Sequence, residues 1–163
     1  MKRPIAIAVG IQVALMFAVP VRPLWLRATG MPVYLETEKM DPRALLRGDY
    51  VILGYKAAQG VLEKSLAADA KSTGKPVYVT VTTERPARFV GVSLEKPVLA
   101  EGQACIVGRS RGWSGSVDFP QIAQFFVPEG TGHVIESQRG ATLLAKAMTN
   151  RDCDAVLVGL EPR

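Results

Sequence analysis

Residues 41–55 read DPRALLRGDYVILGY and join a charged turn directly to an apolar strand. Asp41-Pro42 favours a turn, because proline fixes φ and the aspartate side chain can accept hydrogen bonds from nearby backbone N–H groups. The residues that follow are β-branched, apolar or aromatic, and they alternate between two faces. One face carries Val51, Leu53 and Tyr55, and the other is also largely apolar. This pattern predicts a central strand that is covered on both sides.

The same stretch resembles a known family. Five of its residues match the pattern that names the GDYXXLXY family, a group of small membrane-anchored bacterial proteins without an established biochemical activity: Gly48, Asp49, Tyr50, Leu53 and Tyr55. Residues 125–132, FFVPEGTG, resemble a second recurrent motif of that family, in which a short helix is followed by a closing hairpin. The resemblance implies a strand over residues 141–149 and a turn at residues 150–152.

The net charge of +5 would suggest a nucleic-acid partner if the basic residues were spread over the chain. Four of them lie in the first thirty residues, which contain no acidic residue: Lys2, Arg3, Arg22 and Arg27. The remaining chain holds 16 basic and 15 acidic residues, which nearly cancel. Nucleic acid is therefore not an expected partner, and membrane phosphates are the expected counter-ions.

Residues 5–26 follow Lys2-Arg3 and are almost continuously apolar. A membrane-spanning helix needs about 20 apolar residues. The segment reaches that length if Arg22 extends to the headgroups and Trp25 lies at the interface. We interpret residues 5–26 as an uncleaved anchor in membrane lipid, and a cleaved signal peptide is the alternative.

Basic residues are slightly more numerous on the amino-terminal side of this segment, which favours a cytoplasmic amino terminus. The expected location is the bacterial inner (cytoplasmic) membrane, crossed once, with a periplasmic carboxyl-terminal domain. At 163 residues the chain has room for one domain beside the anchor. We therefore divide it into an anchor and linker over residues 1–30 and a single GDYXXLXY-type β-rich domain over residues 31–163.

Most of the chain after the anchor alternates as half-buried strands do, with turn residues at short intervals. The clearest strands lie in residues 33–38, 76–83, 87–95, 104–111, 121–127 and 154–160. An alanine-rich stretch in residues 56–75 and residues 133–138 favour short helices. The predicted fold class is mainly β (α+β): an amino-terminal transmembrane helix, then a small antiparallel β barrel or sandwich with one or two short helices.

Cys105 and Cys153 lie far apart and form no CxxC motif. In an exported domain they could form a disulfide, which would stabilise the fold by roughly 2–4 kcal/mol. The alternative is a pair of small buried thiols. Sequence alone does not decide between the two, because bridging requires that the two Cα atoms lie close together.

The charged end of the central stretch allows two interpretations. In the first, the arginines and aspartates pair with one another and fix the start of a core strand. In the second, this end and the glycine-rich turn after residue 127 form one surface, here called the recognition patch, with Tyr50 as its main contact residue. The recognition patch consists of Arg43, Arg47, Asp49, Tyr50, Tyr55 and Glu129.

No pattern of residues points to catalysis or to a cofactor. His133 is the only histidine, so neither a zinc site nor a serine triad has its usual residues. The stretch GRSRGWSG in residues 108–115 lacks the lysine and the following helix of a phosphate loop. Neither a metal nor a cofactor is expected.

We therefore interpret the chain as a membrane-anchored accessory or binding module that acts with an integral membrane partner. Members of the family are commonly encoded beside, or fused to, multi-pass membrane proteins, and the resemblance implies a partner of that class. The alternative is a hydrolase-like envelope enzyme with an unrecognised site near Asp49 and Glu129.

Overall fold

The structure is a computed structural model that describes residues 2–38, 50–112, 114–126 and 143–162. Two helices, α1 (Lys2–Ala18) and α2 (Val21–Thr29), precede a domain built from antiparallel strands. The strands are β1 (Met31–Glu36), β2 (Tyr50–Ile52), β3 (Val77–Thr82), β4 (Phe89–Ser93), β5 (Gln103–Ser110), β6 (Val117–Asp118), β7 (Gln124–Phe126), β8 (Leu143–Thr149) and β9 (Ala155–Pro162). One further helix, α3 (Lys64–Thr73), lies between β2 and β3. The predicted mainly β fold after an apolar helix is confirmed.

A three-stranded sheet has the order β1-β8-β9. The hairpin between β8 and β9 is the one that the family resemblance implies, and it turns at Asn150, whose side-chain oxygen accepts hydrogen bonds from the backbone N–H groups of Asp152 and Asp154, each at 3.0 Å. β1 pairs with β8, and its inward residues Val33 and Leu35 are fully buried. The predicted alternation of this strand is thus confirmed.

A four-stranded sheet has the order β4-β3-β5-β6. Val77, Val79 and Val81 of β3 are buried, as their alternation with more polar residues predicts. Helix α3 packs on this sheet through buried alanines, and the hydroxyl of Ser110 in β5 donates a hydrogen bond to the carbonyl of Ala67. The short helix predicted between residues 56 and 75 is therefore present.

Of the central strand predicted in residues 50–55, the structure confirms a strand over residues 50–52. Among the described residues, β2 is three residues long and pairs only with β7 in a two-stranded sheet. The chain then continues to Tyr55, which forms an isolated bridge with Thr37. Leu53 and Tyr55 face the core, whereas the side chain of Glu38 covers Gly54 on the other face. At Gly54 the second face is thus covered by a preceding residue of the chain, Glu38.

A disulfide joins the two larger sheets. Cys105 lies in β5 of the four-stranded sheet, and Cys153 lies in the β8–β9 turn of the three-stranded sheet; their Cα atoms are 4.8 Å apart. The backbone N–H of Val107 also donates to the carbonyl oxygen of Cys153, at 2.9 Å. Of the two states that the sequence allows for these cysteines, the structure has the bonded one.

The amino-terminal helices contain one segment that is long and apolar enough to cross a membrane, Ile7–Thr29. A helix of this kind near the amino terminus indicates a membrane anchor or a signal sequence. Its carboxyl-terminal part also packs on the domain, because Leu26 is buried and Arg22 forms a salt bridge with Asp154 of the β8–β9 turn. Packing of the domain thus begins before residue 31.

Candidate functional site

A cleft of about 340 Å³ opens beside residues 53–55 of the central stretch, and we call it the motif cleft. Its volume lies within the range of small-ligand and peptide pockets. Its base is mostly apolar and its rim is polar. Its lining consists of Glu38, Leu53, Gly54, Tyr55, Ala58, Gln59, Arg111, Ser116, Val117, Asp118, Phe119, Pro120 and Ala123.

Tyr55 forms the base of the motif cleft. Its side chain is 4% exposed, and its hydroxyl donates a hydrogen bond of 2.6 Å to the carbonyl oxygen of Ile122. Its ring lies 5.8 Å from that of Phe119, at a tilt of 56°. Because the hydroxyl makes its hydrogen bond inside the core, this tyrosine holds the segment that follows β2 against residues 119–122. It is a structural support of the cleft.

Burial raises the pKa of the Tyr55 hydroxyl above its ordinary value, so the folded protein holds this group neutral. The unfolded chain ionises near pH 10 and releases a proton that the folded chain retains. This contribution to stability is complete below about pH 10 and is lost as the pH rises further. We expect the free energy of unfolding to fall above pH 10 in the wild type, and to fall less steeply in Tyr55→Phe. Denaturant titrations of both proteins between pH 8 and pH 11 measure the difference; parallel curves would contradict it.

One wall of the motif cleft depends on the absence of a side chain at position 54. A β-carbon added to Gly54 would lie 2.9 Å from Oε2 of Glu38, which is too close for an ordinary contact. The backbone N–H of Glu38 donates to the carbonyl of Gly54 at 2.9 Å, so the two residues are held face to face. The glycine therefore lets a carboxylate lie directly at the cleft.

The lining of the motif cleft also contains an ion pair. Nε of Arg111 lies 2.7 Å from Oδ1 of Asp118, and both side chains are more than 40% exposed. A solvent-exposed pair of this kind adds at most about 1 kcal/mol to stability. Its contribution to the cleft is chemical, because it adds a cation and an anion to a lining that also contains Glu38.

A family model, the GDYXXLXY protein, matches residues 12–160, which is nearly the whole chain. The chain belongs to the GDYXXLXY family. No curated protein and no solved structure matches it.

The structure places part of the GDYXXLXY motif and leaves part of it outside the described residues. Arg43, Arg47, Asp49 and Glu129 of the predicted recognition patch lie outside them, so that patch stays a prediction. Tyr50 lies in β2, and its backbone pairs with Phe126. Tyr55, the last residue of the GDYXXLXY motif, is a buried residue of the cleft.

Sequence reasoning missed the three charged residues of the cleft: Glu38, Arg111 and Asp118. Each is far from residues 53–55 in sequence or belongs to no motif that resembles a known site. Arg111 lies in the GRSRGWSG stretch. Its glycines suggested a test for a phosphate loop, but nothing in the stretch indicated a cleft residue. The pairing of β5 with β6 brings Arg111 and Asp118 together, and that pairing has no local signature.

The described residues contain no group of three or more His, Cys, Asp or Glu side chains that could hold a metal ion. The cleft itself carries two carboxylates, those of Glu38 and Asp118, and two hydroxyls, those of Tyr55 and Ser116. Among the described residues, no histidine or lysine lines it. The arrangement suits binding by hydrogen bonds and apolar contact.

Proposed function

We propose that this GDYXXLXY protein is a single-pass protein of the bacterial cytoplasmic membrane whose periplasmic domain binds a segment of a multi-pass membrane partner in the motif cleft. The observation that carries the proposal is the cleft at residues 53–55, which joins a mostly apolar base to a charged rim. Sites with this division bind extended or looped peptide segments, because the base takes up an apolar side chain and the rim pairs with backbone groups.

Two observations support retention of the amino-terminal segment and export of the domain. Leu26 is 4% exposed and Arg22 pairs with Asp154, so the end of the apolar segment is built into the fold. The disulfide between Cys105 and Cys153 favours an oxidising compartment, since such bonds persist outside the cytoplasm. Both agree with an uncleaved anchor and a periplasmic domain.

The test uses a photo-crosslinking amino acid in place of Gln59, an exposed residue of the cleft rim, in the full-length protein in its native membrane. The same amino acid in place of Ala68, an exposed residue of α3 outside the cleft, is the control. We expect an adduct with one membrane protein from position 59 and none from position 68.

A matched pair of glycine variants then tests the cleft wall. Gly54→Ala displaces the carboxylate of Glu38, whereas a β-carbon at Gly91 in β4 meets no atom within 4 Å. Loss of one hydrogen bond between this carboxylate and the bound segment, about 1–1.5 kcal/mol, would lower the affinity for the partner by roughly tenfold. We expect Gly54→Ala to lower the yield of the adduct by about that factor and Gly91→Ala to leave it unchanged.

Equal adducts from positions 59 and 68 would contradict a binding site at the motif cleft, as would equal yields from the two glycine variants. The competing proposal is a hydrolase-like enzyme with its site near Asp49 and Glu129. Such an enzyme would turn over a substrate in detergent without any partner, and Asp49→Asn would abolish that turnover.

A further inference from the structure

We infer that the loop of residues 94–101, with Val98 at its tip, inserts into the membrane interface beside the anchor and seats the domain on the lipid. The occupant of this surface is thus the headgroup and upper acyl region of the bilayer that holds α1. The inference requires that the chain is anchored, but it does not depend on the motif cleft or on a protein partner.

The amino-terminal segment sets the depth of the β8–β9 turn relative to the membrane. The apolar segment begins after Lys2 and Arg3, and the roughly 30 Å of the hydrocarbon core takes about 20 helical residues, which end near Arg22. Arg22 pairs with Asp154 of the turn. A guanidinium and a carboxylate are costly within hydrocarbon, so this pair lies at the headgroups, and the turn lies there with it.

The loop of residues 94–101 lies at the same depth as the β8–β9 turn, because the two are in contact. Nζ of Lys96 lies 2.6 Å from Oδ1 of Asp152, which belongs to the same turn. The hydrogen bond and the charge of Lys96 lower the pKa of Asp152, so the contact is between two ions. Pro97 and Leu99 line one groove together with Met31, which follows α2 by two residues, and with Arg151 of the turn. The loop therefore lies beside the end of the anchor.

The loop exposes an apolar side chain, that of Val98. Val98 is 99% exposed. A single exposed valine is ordinary on a soluble surface. This one lies between Pro97 and Leu99, which share a groove with Met31, itself 41% exposed. Leu24 and Trp25 of α2, a few residues before Met31, are also exposed apolar side chains, and tryptophan favours the membrane interface.

The charged side chains of this surface do not account for its contact with the lipid. Helix α2, the loop and the β8–β9 turn together carry four cationic and four anionic side chains: Arg22, Arg27, Lys96 and Arg151 against Glu95, Glu101, Asp152 and Asp154. Since the charges balance, anionic lipid gives no net attraction. The apolar tip must provide the contact, and the seating should be the same on zwitterionic and anionic lipid.

The test uses the full-length protein, one copy in each nanodisc of phosphatidylcholine, with an environment-sensitive fluorophore on Val98→Cys. The native cysteines are bonded to each other and are not labelled. The matched control is Ala68→Cys on α3, which packs near the Ser110 end of β5, about 24 Å along that strand from Gln103, which follows the loop by two residues. We expect lipids brominated near the headgroup to quench the label at position 98 and not the label at position 68.

A second variant tests Val98 itself. A label on Ala100→Cys, also in the loop, should be quenched by brominated lipid, and Val98→Glu in the same chain should remove that quenching. An unquenched label at position 98 would overturn the inference. So would a label that is shielded from water but insensitive to bromine, since it would be covered by protein. Quenching that appears only after phosphatidylglycerol is added would overturn the apolar account. Retention of the disulfide on a non-reducing gel verifies the fold of each variant.

Discussion

Replacing Cys105 and Cys153 together by alanine is expected to lower the free energy of unfolding by about 4 kcal/mol. The bond joins residues 48 apart in sequence, so it removes a large part of the freedom of the unfolded chain. It also joins the β8–β9 turn to β5, and therefore one sheet to the other. In a domain of this size such a loss lowers Tm by roughly 10 °C or more.

The measurement is thermal unfolding of the full-length protein in mild detergent, followed by tryptophan fluorescence with and without a phosphine reductant. The reductant should lower Tm of the wild type nearly to that of the Cys105→Ala/Cys153→Ala variant. It should have no effect on the variant, which is the control for damage by the reductant itself. A wild-type Tm that the reductant leaves unchanged, with both thiols shown to be free, would contradict the prediction.

Tyr55→Ala is expected to cost about 3–5 kcal/mol, the usual cost of removing a fully buried aromatic side chain. The ring packs beside Phe119, and its removal leaves a void at the base of the motif cleft. The carbonyl of Ile122 also loses its hydrogen-bond donor. Both effects loosen residues 119–122 from the segment that follows β2, so the cleft should lose its shape as well as its support.

Tyr55→Phe separates these two effects. It keeps the ring and removes only the hydroxyl, so the expected cost is about 1–2 kcal/mol, that of a buried carbonyl left without its donor. Tyr78→Phe in β3, where the side chain is only partly buried, is the matched control and should change stability little. Denaturant titration of the three variants and the wild type measures all four values. Equal losses for Tyr55→Phe and Tyr55→Ala would show that the ring contributes nothing, contrary to the packing.

The local alternation of apolar and polar residues predicted most of the secondary structure. The alternation of valines in β3 and of apolar residues in β1 predicted which side chains are buried, because a strand's period of two directs alternate residues to one face. Leu53 and Tyr55 were placed on one face for the same reason, and both are in the core. The β8–β9 hairpin is different, since the strand over residues 141–149 was implied by the family resemblance and not by alternation in the sequence.

The central stretch shows where local pattern fails. Two apolar faces predict a strand with neighbours on both sides, yet β2 has one partner strand among the described residues and Glu38 covers Gly54. Burial of a face does not specify what buries it. A loop side chain and a neighbouring strand leave the same apolar pattern in the covered residue.

By itself, the sequence determined the apolar amino-terminal segment, the mainly β composition of the domain, the positions of most turns and the membership of the chain in its family. These follow from residues close together in the chain, whose preferences act locally. Only the tertiary structure decided that Cys105 meets Cys153, that Glu38, Arg111 and Asp118 line one cleft with residues 53–55, and that the loop of residues 94–101 lies beside Met31 after α2. The physical reason is that these contacts join residues whose partners lie on other strands, and strand pairing between distant segments leaves no periodic trace in either one.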